Sequence, residues 1–295
     1  MGATISRGEY FDAKLTSEIF NKVKGRSTIA QLHGADPIPF NGVKEFTFSM
    51  DSEVDIVAEN GAKSNGGATI APVVIVPLKI EYGARVSDEF LYASDEEAID
   101  LLKSWSEGFA RKAARGLDLM AIHGINPRTG TAATLIDTNS FDTNTGVQKA
   151  TRANNENAEE LLERAIALIG ENDVTGYAFA KTFATELSKI KENGVSQYPE
   201  FKLGANPGNL GGAACDVNST VSNGGKDLAV VGDFVNAFKW GVAKDLPLEV
   251  IEYGCPDNNT ELGDLKGHNQ VYIRSEMYIG WGILDPAAFA VAKEA

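Results

Sequence analysis

Histidines are the first residues to consider for chemistry, because histidine is the side chain most suited to proton transfer and metal binding near neutral pH. His33, His123 and His268 lie far apart, and none belongs to a metal-binding spacing such as HExxH. The sequence also contains neither a GxSxG nucleophile motif nor a Walker A loop. It therefore predicts no catalytic histidine, no metal site and no cofactor.

Glycine-rich stretches and acidic pairs are the remaining candidates. Gly224-Gly-Lys-Asp227 lacks the upstream glycine and the following Ser or Thr of a phosphate-binding loop, and Gly204-Ala-Asn-Pro-Gly208 does not open a βαβ unit. The pairs Glu96-Glu97 and Glu159-Glu160 fall in the first turns of predicted helices, where the helix dipole explains them better than acid–base catalysis. No positive signal supports an enzyme, although a catalytic site built from scattered residues stays open.

Length and composition favour a globular protein with a substantial core. The 295 residues are 43% hydrophobic and 23% charged, which is typical of soluble chains that form one large domain or two interleaved ones. No apolar run reaches about 18 residues, so we expect no membrane span. Cys215 and Cys255 have no CxxC spacing and are predicted to be free thiols of an intracellular protein, with a disulfide left open.

The net charge of -14 argues against a protein that reads nucleic-acid sequence, because such proteins concentrate Lys and Arg. A container for DNA is compatible with this charge, since a wall that repels phosphate lets packaged DNA slide. Plain solubility explains it equally well. Residues 1–35 carry five basic against three acidic residues, a net of +2. This N-terminal segment is our candidate for contact with DNA.

A strand-like alternation between residues 44 and 86 predicts one long two-stranded ribbon. Apolar and polar residues alternate from Phe46 to Ala58 and again from Ile70 to Ile80. The tip between them, Glu59-Asn-Gly-Ala-Lys-Ser-Asn-Gly-Gly67, is a dense turn signal. Because a two-stranded hairpin is marginally stable in water, the ribbon must lie on its own body or on a neighbouring copy. A hairpin that is folded into an ordinary sheet is the alternative interpretation.

The strongest predicted helix covers residues 94–123. Its apolar residues recur every four positions, and Ser94 with Glu97 forms a capping box at its start. Gly124 is the expected C-terminal stop. The acidic residues near the start and the later Arg111, Lys112 and Arg115 suit the helix dipole.

The rest of the chain predicts a mixed α+β fold without repeats. Residues 1–36 are predicted to be an extended arm with a short helix over 13–23, and residues 131–150 a surface loop. Two further helices are expected, one capped by Asn157 and Glu160 and one over about 181–191. Loops with short strands fill residues 193–226, and strands are predicted at 227–231 and 248–252.

The C-terminal stretch has the clearest strand pattern. Apolar residues from Val271 to Trp281 alternate with Tyr272, Arg274, Glu276 and Tyr278, a period of two that predicts a long strand. Asp285-Pro286 then ends it, because proline cannot donate to a strand ladder.

In this order, these elements resemble the major capsid proteins of tailed bacteriophages, whose fold is shared with herpesvirus capsids and encapsulins. The resemblance rests on several short motifs with the family order and spacing: Val76-Pro-Leu-Lys-Ile80, Ser87-Asp-Glu-Phe-Leu91, Leu117-Asp-Leu-Met-Ala-Ile-His-Gly124, Val230-Val-Gly-Asp-Phe234, Ile273-Arg-Ser-Glu276 and Asp285-Pro-Ala-Ala-Phe289.

The resemblance implies an α+β phage major capsid fold with an N-terminal arm, an extended β-hairpin loop, a peripheral domain with a long spine helix, and an axial domain. We expect the arm in residues 1–43, where it leads into the peripheral domain, and the extended loop in 44–86. The peripheral domain with its spine helix is expected in 87–130, and 131–245 is expected to be mainly axial. Residues 246–295 are expected to return to the peripheral domain and end in the axial one.

The function that the resemblance implies is self-assembly, through hexamers and pentamers, into an icosahedral shell around double-stranded DNA, with no enzymatic activity. Further implied partners are a portal, a scaffold or protease, and decoration proteins, with no membrane. The protein is expected in the virion capsid, after assembly in the host bacterial cytoplasm. An encapsulin-like compartment around a cargo enzyme is the alternative.

One branch of this family cross-links its subunits by an isopeptide bond. The resemblance places the lysine at Lys63, the asparagine at Asn269 and the assisting glutamate at Glu276. A desolvated neutral amine could attack an amide carbonyl while a carboxylate takes the proton. Ion pairing of Glu276 with Arg274 or a neighbouring chain, and a solubilising role for Lys63, explain the same residues without chemistry.

Overall fold

The computed structural model describes residues 27–50, 52–89, 95–222 and 224–295. The predicted helix over 13–23, the rest of the arm before residue 27, and the Ser94 cap lie outside the described residues. No helix in the described residues is long and apolar enough to cross a lipid bilayer. Both cysteines are free, with Cys215 buried and Cys255 exposed, as predicted.

The described residues form four α-helices and thirteen strands. The helices are α1 (Thr28–Leu32), α2 (Asp95–His123), α3 (Ala158–Ala167) and α4 (Lys181–Lys189). The first seven strands are β1 (Val43–Met50), β2 (Ala68–Ile75), β3 (Leu78–Ser87), β4 (Gln148–Thr151), β5 (Gly176–Phe179), β6 (Lys191–Glu192) and β7 (Val195–Ser196). The other six are β8 (Asn209–Leu210), β9 (Ala213–Val217), β10 (Asp227–Gly232), β11 (Phe238–Ile251), β12 (Gln270–Ile283) and β13 (Phe289–Lys293).

A three-stranded antiparallel sheet, in the order β11-β12-β3, carries the long helix α2 on one face. The predicted alternation in β12 is confirmed, since Val271, Ile273 and Met277 are fully buried. Trp105 of α2 donates from Nε1 to Ser275 Oγ at 2.9 Å. Its ring centroid also lies 5.5 Å from that of Tyr82 on β3, so one aromatic side chain joins the helix to two strands.

A six-stranded sheet, in the order β4-β13-β10-β5-β9-β8, forms the second layer and contains much of the core. Helices α3 and α4 pack against it through buried leucine, alanine and phenylalanine side chains. The cap predicted for α3 is confirmed: Asn157 accepts from the Glu160 N–H, and Glu160 accepts from the Asn157 N–H. Each satisfies a backbone donor that the helix itself leaves unpaired.

Strand β13 is the main element that the sequence analysis missed. It lies between β10, which it pairs with antiparallel, and β4, which it pairs with in parallel. Phe289, Ala290, Val291 and Ala292 are all fully buried. A strand covered on both faces shows no polar alternation, so the pattern that revealed β12 was absent here.

The predicted surface loop at residues 131–150 is wrong in part. Phe141 is fully buried, and its ring centroid lies 5.5 Å from that of Phe238 and 4.9 Å from that of Phe289. Asn139 and Trp281 exchange two hydrogen bonds, from Asn139 Nδ2 to the Trp281 carbonyl at 2.9 Å and from Trp281 Nε1 to the Asn139 carbonyl at 2.8 Å. This segment therefore joins the two sheets.

The predicted extended conformation of the arm is also wrong at α1. Asp118 of α2 receives hydrogen bonds from the N–H groups of Thr28 at 3.0 Å and Ile29 at 3.2 Å. It also accepts from Ser27 Oγ at 2.5 Å and Thr220 Oγ1 at 2.6 Å. Burial raises the pKa of Asp118 to about 6, although these bonds act to lower it. A carboxylate 90 residues away thus stabilises the first turn of α1.

Candidate assembly interface

Strands β1 and β2 form an antiparallel ribbon with two different faces. Phe46 lies opposite Pro72, Phe48 opposite Ile70, and Met50 opposite Ala68. Because directly opposed residues share a face, these six form one continuous apolar surface. The other face carries polar residues, including Thr47 and Thr69.

The apolar face of the ribbon is open to solvent in the single chain. Phe46 is 68% exposed, Phe48 59%, Met50 75% and Ile70 62%. Single exposed apolar side chains are common, but a contiguous exposed apolar surface marks a place where a protein meets a partner.

The ribbon is shorter than the sequence predicted. Strand β1 ends at Met50, and residues 52–67 form no strand. Val54 and Ile56 in this tip are almost wholly exposed, so the predicted continuation of the strand through them is wrong. The return arm is also interrupted at Val76-Pro77, because proline cannot donate to a ladder. Strand β3 then leaves the ribbon and pairs with β12.

The base of the ribbon is fixed by one isoleucine seated on glycines. Ile75, the last residue of β2, is fully buried. A Cβ atom at Gly282 would lie 2.7 Å from Ile75 Cγ1, and one at Gly280 would lie 3.2 Å from Ile75 Cγ2. A methyl group at Gly282 would therefore overlap Ile75, and one at Gly280 would lie closer to Ile75 than an ordinary packing contact allows. We call Ile75, Gly280 and Gly282 the glycine seat.

The segment before the ribbon is held at the same place. The Asp36 N–H donates to the Trp240 carbonyl at 2.8 Å, and a Cβ atom at Gly241 would lie 1.9 Å from the Asp36 carbonyl oxygen. On the polar face, Lys239 Nζ lies 2.9 Å from Glu45 Oε1. Both ends of the ribbon are thus attached to β11 and β12, while its apolar face and its tip remain uncovered.

The structure does not bring the three cross-link candidates together within one chain. Lys63 is exposed at the ribbon tip. Asn269 precedes β12 in a left-handed conformation with φ 54°, and Glu276 lies seven residues further along, about 23 Å at 3.3 Å per residue. A joint site for these residues would need different copies of the chain.

Glu276 is already paired inside its own sheet. Its Oε1 lies 2.6 Å from Lys79 Nζ on β3 and 3.2 Å from Arg274 Nε. Glu249 on β11 extends the row, at 2.7 Å from Arg274 Nη2. The partnership of Glu276 with Arg274 considered in the sequence analysis is present, and Lys79 is an additional partner.

Four ionisable side chains from distant parts of the sequence meet in the core. His123, at the end of α2, donates from Nε2 to the Thr220 carbonyl at 2.9 Å. Its Nδ1 lies 2.7 Å from Asp142 Oδ2 and 3.3 Å from Asp227 Oδ2. Lys293 Nζ lies 2.7 Å from Asp142 Oδ1 and 3.1 Å from Asp227 Oδ1. The four side chains form a neutral square of two cations and two anions, which we call the ionic square.

The geometry requires a doubly protonated His123, because one ring nitrogen faces a carbonyl and the other faces two carboxylates. Burial acts to lower the pKa of His123, but the hydrogen bonds to Asp142 and Asp227 raise it to about 9. The same contacts lower the pKa of Asp142 despite its burial.

His123, Asp142 and Asp227 are also spaced closely enough to hold a metal ion. The sequence analysis missed this grouping, since no local spacing connects the three residues. In the structure the ammonium group of Lys293 contacts both carboxylates, so a cation already balances their charge. Metal binding would require Lys293 and the proton on His123 Nδ1 to leave, and the residues present fit an internal salt bridge better.

Comparison with known proteins adds to this geometry. A model of the phage capsid family matches residues 11–293. The chain belongs to the phage capsid family. A solved structure from Mycobacterium phage Ogopogo is 31% identical, covers 92% of both chains and has a TM-score of 0.76. One from Gordonia phage Cozz is 24% identical over 92% of this chain and 87% of the other, with a TM-score of 0.73.

The same fold occurs in more distant structures. The capsid of a native GTA particle is 16% identical over 91% of this chain and 90% of the other, with a TM-score of 0.62, and shows a likeness of fold alone. No curated protein sequence matched significantly.

As a member of this structural family, the protein is a major capsid protein whose copies form the icosahedral shell of the virion. The predicted family and the mixed α+β capsid fold are confirmed. An encapsulin-like compartment is not favoured by these relatives.

A substitution at the glycine seat tests how this capsid protein holds its ribbon. We expect Gly282→Ala to destabilise the unassembled subunit by about 1–3 kcal/mol, because the new methyl group overlaps Ile75. In denaturant unfolding, the double variant Gly282→Ala with Ile75→Ala should cost less than the sum of the single variants, since Ile75→Ala removes the colliding atoms. Gly34→Ala is the matched control, with open space at its Cβ position. If the stability costs of the two single variants simply add in the double variant, the proposed contact between Ile75 and Gly282 is contradicted.

The ionic square predicts a pH dependence of subunit stability. A folded-state pKa of about 9 for His123, above the usual 6.5, stabilises the folded chain below pH 6.5 and loses this effect as the pH rises toward 9. Between pH 6.5 and 8 the free energy of unfolding should fall by about 1.5 kcal/mol from this residue. Burial lowers the pKa of Lys149 to about 8, so the effect of Lys149 on the free energy of unfolding changes mainly above this pH range.

Denaturant unfolding at several pH values measures this effect. His123→Gln should remove the decline and cost about 3–5 kcal/mol at pH 6.5, because it leaves the two buried carboxylates with only one of their two cations. His268→Gln, at an exposed position, should keep the wild-type decline. An equal pH dependence in the wild type and His123→Gln would show that His123 is not charged in the folded chain.

Proposed function

We propose that this capsid protein assembles through hexamers and pentamers into a shell that encloses double-stranded DNA, and that each ribbon grips a neighbouring copy. The observation that carries the proposal is the apolar face of the ribbon, which the single chain leaves open while both ends of the ribbon are fixed. A repeated contact between unlike surfaces of identical copies generates a ring when its rotation closes.

The energetics favour a neighbouring copy as the surface that covers the ribbon. Burial of apolar area contributes about 25 cal/mol per Å², so the exposed parts of Phe46 and Phe48 alone can supply a few kcal/mol for each contact. The net charge of -14 on every copy opposes association. Apolar contact is therefore the attraction that the described surface offers against charge repulsion.

The proposed division of the chain follows the resemblance stated above. The arm and the lead into the peripheral domain occupy 1–43, the extended loop 44–86, the peripheral domain with its spine helix 87–130, the axial domain mainly 131–245, and the returning strands with the C-terminal axial segment 246–295. Strand β3 refines this picture, since residues 78–87 pair with β12 in the sheet that carries α2.

The proposal also includes the partner proteins of the shell and the compartment in which it assembles. A portal, a scaffold or protease, and decoration proteins are proposed to act with the shell, and assembly is proposed in the host bacterial cytoplasm. The chain is proposed to act without catalysis, because Asp118 and the ionic square have their partners inside the fold.

Covalent cross-linking through Lys63, Asn269 and Glu276 is the alternative that the resemblance raises for the assembled state. The Lys63 amine at the ribbon tip of one copy would attack the side-chain carbonyl carbon of Asn269 in another copy. The new C–N bond would replace the bond to the amide nitrogen, which leaves as ammonia, while Glu276 takes the proton that the amine gives up. The ion pairs of Glu276 with Lys79 and Arg274 support a structural role instead, since they already engage its carboxylate within its own sheet.

Electron microscopy of the purified full chain tests the proposal directly. Closed shells with five-fold and six-fold clusters are the expected result. A protein that stays monomeric in ultracentrifugation under all conditions would contradict it.

Substitutions on the apolar face test the role of the ribbon. We expect Phe46→Ser with Phe48→Ser to raise the concentration needed for assembly at least tenfold, since about 1.4 kcal/mol corresponds to each factor of ten. Subunit stability should change by less than about 0.5 kcal/mol, because both side chains are largely exposed in the single chain. Phe46→Leu with Phe48→Leu is the matched control and should assemble nearly as the wild type does. Unchanged assembly of the serine variant would place the contact elsewhere.

Denaturing gels of boiled shells test cross-linking. We expect a single band near 31.5 kDa, because Glu276 is engaged in its own sheet. A ladder of multiples that disappears in Lys63→Arg would instead establish the covalent bond, since arginine stays protonated and cannot attack the amide.

A further inference from the structure

The exposed face of α2 carries an unusual group of positive charges. Lys103, Arg111, Lys112 and Arg115 are all exposed on this helix, in a chain of net charge -14. At 100° per residue they fall within one half of the helix circumference. Glu107, which is half-buried, adds one negative charge between these four positive ones, so this face is net positive. We call these four residues the basic face.

The helix dipole does not account for the basic face. Its effect falls off within the last turn of a helix, whereas Arg111, Lys112 and Arg115 lie eight to twelve residues before the end of α2 at His123. The helix dipole, which the sequence analysis used to explain these residues, therefore does not explain their positions.

Ion pairing among the described residues does not account for the basic face either. Elsewhere in the described part of the chain, lysine and arginine side chains on or next to the strands form ion pairs with carboxylates, as Lys79, Arg85, Arg152 and Arg274 do. The ion pairs among the described side chains include none of the four residues of the basic face.

The N-terminal segment joins the chain beside this face. Ser27 donates from Oγ to Asp118 of α2 at 2.5 Å, and Asp118 lies three residues beyond Arg115. In the sequence, Lys22, Lys24 and Arg26 directly precede Ser27. Ser27, the first described residue, is thus anchored close to the basic face, and the residues that precede it in the sequence are themselves rich in lysine and arginine.

The local charge decides what this face binds, although the chain as a whole is acidic. Charges farther away than about 8 Å are largely screened at physiological salt. Lys103 and Arg115 are twelve residues apart, about 18 Å along the helix. Duplex DNA carries one phosphate charge per roughly 1.7 Å of its axis, so that length of helix faces on the order of ten phosphates.

We propose that the basic face contacts the phosphate backbone of the enclosed DNA, so that α2 forms part of the inner wall of the shell. This inference rests on the proposed function, since it assumes a shell that encloses DNA. Four lysine and arginine contacts within an acidic wall give weak attachment that depends on salt and not on sequence.

Binding of a short duplex of mixed sequence to the unassembled full chain tests the inference, with fluorescence anisotropy at several salt concentrations. The test variant is Lys103→Gln with Arg111→Gln, Lys112→Gln and Arg115→Gln. We expect at least a tenfold loss of affinity near about 50 mM salt, and a salt slope that is shallower by up to about 3.6, or 0.9 for each lost contact.

A second quadruple variant serves as the matched control. Lys181→Gln with Lys189→Gln, Lys191→Gln and Lys202→Gln removes the same charge from four other exposed positions. It should keep most of the wild-type affinity and slope. Equal losses in the two variants, or a wild-type chain that does not bind the duplex, would overturn the inference.

Electron microscopy of all three proteins separates this inference from the proposed function. Shells from the wild type and both variants, with weaker DNA binding only in the α2 variant, support it. Shells from the control but not from the α2 variant would make the basic face a contact between copies and overturn the inference. The absence of shells from the wild type would defeat the proposed function itself.

Discussion

The contact between Ile75 and the glycines of β12 is the constraint on which the use of this fold depends. A ribbon with an open apolar face can grip a neighbour reproducibly only if its base has a fixed direction. Ile75 supplies this direction, because it fills space that exists only where Gly280 and Gly282 have no side chains. The same strand pairs with β3 and β11 and packs against α2. The position of the ribbon is therefore tied to the central strand of the three-stranded sheet.

The ionic square performs a comparable task in the interior. His123 ends the long helix, Asp227 begins β10, and Lys293 ends β13, so one group of charges joins α2 to the six-stranded sheet. Buried charges are costly unless they are paired and hydrogen-bonded. The square meets that condition by balancing two cations against two anions. A displaced partner would leave an uncompensated buried charge, so the square opposes other arrangements of its elements.

Charge is distributed unevenly over this acidic capsid protein. The ribbon tip is acidic, with Glu53, Asp55 and Glu59 exposed against Lys63, while the exposed middle of α2 is basic. An overall negative charge keeps copies soluble and apart until apolar contacts outweigh the repulsion. A local positive face can still hold phosphate weakly, since screening limits each charge to its neighbourhood. One subunit can thus present different electrostatic surfaces to its copies and to its contents.

The sequence by itself determined the elements whose signals are local. The alternation in β12, the four-residue spacing in α2, the Asn157 cap and the stop at Gly124 all report on neighbours within a few residues, and the structure confirms each of them. The order of short motifs was enough to indicate the family. Tertiary structure decided what depends on distant partners. The burial of β13, the capping of α1 by Asp118, the glycine seat and the ionic square each join residues that are far apart in the chain, and no local period or spacing encodes such a meeting. Gly282 must lack a side chain because Ile75 packs against it, and this requirement can be recognised only once the position of Ile75 is known.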